Sequence, residues 1–175
     1  MKLMALDGNS LAYRAFFALP TDMVTASGQV TNAIYGFTSM LLTLMRDHKP
    51  DGVVVVFDRK EPTFRHDAAP EYKAQRETQP DILYQQLDLI REMLTKMGVT
   101  AIDAPGFEGD DLIATIADMA LKSGDDLIIV AITRDDNQIV PRFKCHLSDC
   151  CNQIIAFKTW GIDRGDAHLC QHLTN

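Results

Sequence analysis

The apolar residues of this chain follow two alternating patterns: short continuous runs, and longer stretches in which they recur every three or four positions. Lys2 to Leu6, Val53 to Phe57, Val99 to Ile102 and Leu127 to Ile132 hold runs of the first kind. The β-branched run Val53-Val54-Val55-Val56 in particular predicts a central parallel strand buried on both faces. Between these runs, Leu11 to Phe17 predicts a short helix. Ile34, Phe37, Leu41 and Leu44 share one face of a helix that Asn32 is expected to cap and that runs to about His48. Leu83, Leu87, Ile90, Leu94 and Met97 do the same after Pro80, until Gly98, and Ile113, Ile116, Ala117 and Ala120 do so within Leu112 to Leu121. Strand and helix alternating on this scale predict an α/β fold, a three-layer sandwich with a mostly parallel central sheet. There is no internal repeat and no low-complexity segment.

At 175 residues and 46% apolar composition, the chain has the size and make-up of a globular domain with its own core. No apolar run is long enough to cross a bilayer, and the start is too short in its apolar part for a signal peptide, so a cytoplasmic protein with no membrane partner is expected. The net charge of -7 excludes a protein that coats nucleic acid through bulk positive charge. It leaves room for a nuclease whose acids hold metal ions while local basic patches hold phosphates. Cys145, Cys150, Cys151, Cys170 and Trp160 all lie near the carboxyl end. Beside them stand His146 and the HxxxH pair His168 and His172, but no CxxC pair accompanies these, and the cysteines read as unligated thiols. The change of composition near Pro141 divides a domain of residues 1–140 from a tail of residues 141–175.

The densest chemistry lies in Gly106-Phe107-Glu108-Gly109-Asp110-Asp111, three carboxylates at the mouth of a helix. Acids are favoured at a helix start by the macrodipole, about 0.3–1 kcal/mol each, and that alone accounts for one such cluster. Asp7, Asp58 and Asp135, however, also follow predicted strands directly. In an open α/β sheet the working site lies beyond the carboxyl ends of the strands, so one pole collects the acids, and they would repel one another without cations among them. All-oxygen ligation suits Mg²⁺ or Mn²⁺ rather than zinc. Two such ions about 4 Å apart would activate a water and stabilise the leaving oxygen of a phosphodiester. There is no GxSxG and no Walker loop to suggest another chemistry.

The segment from Arg59 to Gln79 is longer than a connector requires, and it carries Arg59, Lys60, Arg65, Lys73 and Arg76 interleaved with Phe64, His66 and Tyr72. Cations beside aromatics are what single-stranded nucleic acid needs, although Glu61, Asp67 and Glu71 would partly cancel the charge of a simply solvated loop. Arg14, just after the first strand-end acid, is placed to reach a phosphate from another side.

Leu6-Asp7-Gly8-Asn9-Ser10-Leu11-Ala12-Tyr13-Arg14-Ala15-Phe16-Phe17, Thr31-Asn32-Ala33-Ile34-Tyr35-Gly36-Phe37, Phe57-Asp58, Thr63-Phe64-Arg65, Glu71-Tyr72-Lys73-Ala74 with Arg76, and Glu108 with Asp110-Asp111 together resemble one known family. It is the flap endonuclease family, in the form of the amino-terminal 5′ nuclease domain of bacterial DNA polymerases I, and the resemblance runs from residue 2 to about 140. It implies a flap endonuclease or PIN-like fold and a metal-dependent 5′-3′ exonuclease and flap endonuclease that hydrolyses DNA in replication and repair. By the same resemblance Asp7, Asp58, Glu108, Asp110, Asp111 and Asp135 hold Mg²⁺ or Mn²⁺, two ions in the complete family site. Arg14, Arg65, Tyr72, Lys73 and Arg76 contact DNA with a 5′ single-stranded end or flap. Hydrolysis is expected to depend on Asp58, Lys73 and Arg76, and a polymerase domain would accompany this one in the intact gene product.

Two departures stand out. The family's T-G-D-[KR]-D motif falls, without a gap, on Ala131-Ile132-Thr133-Arg134-Asp135, so that Thr133 replaces an acid; a gapped register starting at Thr133 puts Asp135 first and Asn137 second. The family's carboxyl-terminal helix-three-turn-helix has no counterpart after Pro141, a pattern expected of a frameshifted or truncated gene. Two other readings follow: a non-catalytic module that binds a DNA 5′ end, or a PIN-like ribonuclease.

Overall fold

The computed structural model describes residues 1–69, 71–74, 79–132 and 139–142. Among the sequence-derived candidates, Arg76, Asp135 with its neighbours Thr133 and Arg134, and the cysteine-rich stretch from residue 143 lie outside the described residues. Those described belong to one compact unit, Met1–Lys144.

The order of elements is β1 (Lys2–Asp7), α1 (Gly8–Ala18), α2 (Asn32–His48), β2 (Gly52–Val56), α3 (Phe64–Ala68), α4 (Asp81–Lys96), β3 (Thr100–Ile102), α5 (Gly109–Ser123), β4 (Asp126–Ile132) and β5 (Ile139–Arg142). The five strands form one sheet in the order β3-β2-β1-β4-β5. β1 pairs in parallel with β2, from Leu3 opposite Gly52 to Asp7 opposite Val56, and with β4, from Lys2 opposite Asp126 to Leu6 opposite Val130. β2 pairs in parallel with β3, while β5 runs antiparallel to β4. β5 crosses residue 140, where the composition changes.

The pleat sends alternate residues to opposite faces. Met4, Leu6, Val55, Phe57, Ile128 and Val130 meet Leu11 and Ala12 of α1, Phe37, Leu41 and Leu44 of α2, and Ile90 and Leu94 of α4 in one core. The intervening Ala5, Val56, Leu127 and Ile129 are buried as well; they serve the opposite face, where α5 packs on β1, β2 and β4 through Ile113 and Ala120. Three layers result, and each fully buried Leu, Ile or Phe contributes about 1.5–3 kcal/mol.

The two amide side chains buried in this core, Asn32 and Gln86, are paired. Asn32 is not the cap of α2, a position held by Thr31. Its fully buried side chain instead donates from Nδ2 to the carbonyls of Phe16, at 2.9 Å, and Leu19, at 3.0 Å, at the end of α1. Gln86 of α4 donates from Nε2 to Asn32 Oδ1 at 2.9 Å and accepts from the amides of Ala33 and Ile34, at 2.8 and 3.3 Å, in the first turn of α2. One amide side chain thus satisfies otherwise orphaned helix-start donors and ties three helices together. Met97, the expected last member of the α4 stripe, is 40% exposed because the helix ends at Lys96. Among the described residues, no helix is long and apolar enough to cross a membrane.

Candidate functional site

Asp7 is the last residue of β1 and also the cap of α1, accepting from the amide of Ser10 at 2.9 Å and from its hydroxyl. α1 follows at once because Gly8 has no side chain: a Cβ there would lie 2.5 Å from the Phe57 ring. Since Asp7 stands opposite Val56, Asp58 leaves the same end of the neighbouring strand. α5 starts beside it, and the amide of Gly109 donates to Asp58 Oδ1 at 2.6 Å. A Cβ on Gly109 would press on that oxygen from 3.1 Å, so a residue without a side chain suits this approach. The parallel register therefore brings Asp7, Asp58 and the first turn of α5 to one pole.

Two groups of acids result, with different electrostatics. Burial pushes the Asp110 carboxyl up, and the charges of Asp7, Asp58 and Glu108 push it further, to about 7, against the pull of Lys73. Burial also raises Asp7, the hydrogen bonds from Ser10 oppose it, and the charge of Asp58 adds to it. In this first group negative charge faces negative charge.

In the second group the acids are paired. Arg65, at the start of α3, grips Asp111 with both arms of its guanidinium, NH1 to Oδ2 at 2.8 Å and NH2 to Oδ1 at 2.6 Å. Asp111 Oδ2 also accepts the amide of Glu108 at 2.9 Å, which fixes the first turn of α5. Burial pushes Asp111 up, but these hydrogen bonds and the Arg65 charge bring it below the usual carboxylate range. The side chain of Glu108, 11% exposed, accepts from Lys73 Nζ at 2.8 Å and from the Tyr72 hydroxyl at 3.2 Å. Helix-start chemistry thus accounts for part of the Asp111 environment, while Asp110 faces the strand-end acids. As the side chains stand, no three described His, Cys, Asp or Glu residues close into a group that could hold a metal ion.

The basic segment reaches the acids through only some of its cations. Arg59 turns away to Glu61, at 2.8 Å, and Asp103, at 3.0 Å, where Arg91 also binds at 2.6 Å. Lys60 lies over the Tyr84 ring at 4.2 Å. Arg65, Tyr72 and Lys73 face the acids, Lys73 with its backbone in the left-handed region, φ 59°. Such a conformation is uncommon outside glycine and persists where surrounding contacts hold it. Arg14 lies half-buried on α1, the helix that Asp7 caps. Phe107, outside the sequence-derived candidates, stands exposed against Phe64 with ring centroids 5.9 Å apart. Its signal in the sequence was an aromatic directly preceding an acid at a loop.

A three-layer sandwich with acids gathered at the carboxyl ends of parallel strands and cations facing them defines the class of flap endonuclease-like α/β proteins. The chain belongs to the family described as the 5′-3′ exonuclease, N-terminal resolvase-like domain, which matches residues 2–161 and so runs past residue 140. The DNA polymerase I of Mycobacterium tuberculosis is 48% identical over 139 residues, 79% of this chain and 15% of that protein. A thermostable DNA polymerase I of Thermus thermophilus is 41% identical over 139 residues, 79% of this chain and 16% of that protein. The chain thus spans about 15% of the length of the first of these relatives. Among solved structures, a bacteriophage T5 protein co-crystallised with metal ions has a TM-score of 0.55 and 22% identity, covering 78% of this chain and 49% of that one. A T5 5′-exonuclease with bound zinc has a TM-score of 0.55 and 19% identity, covering 87% of this chain and 60% of that one. These structures share the fold.

Proposed function

We propose that the chain is the 5′ nuclease part of a DNA polymerase I-type protein, a metal-dependent 5′-3′ exonuclease and flap endonuclease acting on DNA with a 5′ single-stranded end or flap. The observation that carries this reading is the split of the acids. Asp7, Asp58 and Asp110 gather mutually repelling negative charge at one pole of the sheet, directly beside the cations of Arg65 and Lys73.

Burial, joined by the charges of Asp7, Asp58 and Glu108, drives Asp110 up to about 7; an all-carboxylate set of this kind fits a hard divalent cation, which would relieve the repulsion. Asp7, Asp58, Glu108, Asp110 and Asp111, with Asp135 from the segment after β4, are the residues that would hold Mg²⁺ or Mn²⁺. When bound, such ions supply an activated water and stabilise the leaving oxygen. The protein's own groups do the rest. Lys73 and Arg65, which hold Glu108 and Asp111 as the side chains stand, would offer charge-assisted donors to a phosphate where a cation takes over those carboxylates, Arg65 in a planar fork that suits two oxygens at once. Arg76 and Arg14 add positive charge along the strand, and Tyr72 offers a hydroxyl donor and a ring. The bulk charge of -7 then matters little, because the cations that count are local.

The pairing of Glu108 and Asp111 with Lys73 and Arg65 favours a second reading, a module that binds a DNA 5′ end without cutting it. Incubating the chain with 5′-flap DNA in Mg²⁺, in Mn²⁺ and in EDTA separates the two. Metal-dependent product that Asp58→Asn abolishes is expected. Flap binding weakened by Lys73→Ala and Arg76→Ala but without product would retire the nuclease in favour of the binding module. Preferential cleavage of RNA would point instead to a PIN-like ribonuclease.

A further inference from the structure

Single exposed apolar residues are ordinary, but two aromatic rings meeting at the rim of a charged site are not. Phe64, 41% exposed, and Phe107, 51% exposed, face each other with centroids 5.9 Å apart and planes inclined by 59°. The amide of Phe64 donates to the carbonyl of Gly106 at 3.2 Å, so their backbones are tied beside the rings. Each ring immediately precedes a residue of the site, Arg65 in one case and Glu108 in the other. The Arg65 guanidinium lies 4.6 Å from the Phe64 ring centroid while its arms hold Asp111. By contact the order is therefore ring, then cation, then acid, from Phe64 through Arg65 to Asp111.

That order selects an occupant. An apolar protein surface would have to bury the charged neighbours of the rings without partners for them, at considerable cost. A nucleobase has a π-face for the rings and is joined to a phosphate for the cations. We infer that Phe64 and Phe107 form a stacking platform for one unpaired base of the DNA strand whose phosphate Arg65 and Lys73 receive. Phe107 is the principal surface, being the more exposed ring, and Phe64, with Arg65 beside it, supports it. Stacking of this kind accepts any base, because every base has a π-face. The inference rests on the nuclease reading of the adjacent acids.

The test uses 5′-flap DNA carrying 2-aminopurine at successive unpaired positions. Binding is followed by anisotropy and stacking by quenching, in EDTA and, with Asp58→Asn chains, in Mg²⁺. Quenching at one or two adjacent positions is expected. Phe107→Leu should abolish it and weaken binding roughly 5- to 100-fold, while Phe107→Trp retains both. An abasic residue at the quenched position should weaken binding by the wild-type chain to a similar degree and have little further effect on Phe107→Leu; this arm leaves the protein unaltered. DNA bound with equal affinity by wild type and Phe107→Leu, with no quenching at any position, overturns the platform and leaves the nuclease reading standing. Absence of any flap binding by the wild-type chain overturns both.

Discussion

Asp110 gives the site a pH dependence opposite to that of ordinary acid denaturation. Its carboxyl is held at about 7 in the folded chain and titrates near 3.9 when unfolded. Between those values the folded state holds a proton that the unfolded state has lost, so stability falls as pH rises. The contribution is fully present below the unfolded value and gone once pH has passed through about 7. Between pH 5 and pH 8 the loss corresponds to roughly two pK units, about 2–3 kcal/mol. Asp7, also raised, acts in the same direction. Asp111 and Asp103, both depressed, lose their contribution only below the usual carboxylate range, outside this window. Urea denaturation in EDTA should therefore show a midpoint lower at pH 8 than at pH 5 by about 1–2 M, for a denaturant slope of roughly 1–3 kcal/mol/M. Asp110→Asn should flatten this profile and be the more stable chain at pH 8, while binding divalent cations more weakly by calorimetry. A wild-type midpoint that is level or rises from pH 5 to pH 8, or an Asp110→Asn chain no more stable at pH 8, would refute the assignment of uncompensated charge to this carboxyl.

Gln86→Leu leaves Asn32 Oδ1 and two amides of α2 without their partner; at about 1–3 kcal/mol per orphaned group, partly offset by the added apolar burial, the net loss should be about 2–4 kcal/mol. An unfolding free energy from urea denaturation that changes by less than about 0.5 kcal/mol would show that the network carries no weight. Gly8→Ala drives a Cβ toward the Phe57 ring, 2.5 Å away, and should cost about 1–3 kcal/mol by overpacking, read as a lowered melting temperature. Arg65→Ala should destabilise the chain by about 1–3 kcal/mol, because the partly buried Asp111 loses its bidentate partner. Arg65→Lys should recover less than half of that, since an ammonium cannot reproduce the fork; equal melting curves for the Lys and Arg chains would contradict the pairing.

The alternation of apolar runs and helical stripes was legible because both faces of the sheet are covered. Val53 to Phe57 and Leu127 to Ile132 had no polar positions to blur the signal. Boundaries were less so. α1 starts at Gly8 because Asp7 ends a strand and caps a helix at once, which propensity alone does not reveal. Gln86 escaped notice because Leu87 completes the apolar spacing equally well, and only the buried ends of α1 and α2 make a polar residue the better choice. α3 is too short for periodicity to mark, and the antiparallel β5 lies where the composition was already changing. The acids at the strand ends were readable as a set. Their division into repelling and paired groups depends on Arg65 and Lys73 arriving from 46 and 35 residues away, a distance that no local pattern spans.

β1 comes first among the described strands but is completed only late. Its partner on one side, β2, follows within the first 56 residues, but the other, β4, starts only at Asp126. Until that segment has emerged during synthesis, the strand at the centre of the sheet presents an open row of backbone donors and acceptors, flanked by the apolar residues of a two-faced core. Nascent or cleaved chains that stop short of β4 would carry that bare edge, the ready template for intermolecular pairing and aggregation. Long-range closure of this kind also slows folding relative to a helical bundle of similar size. The arrangement that brings Asp7 between its neighbours thus makes soluble production of shortened chains depend on keeping residues 126–130.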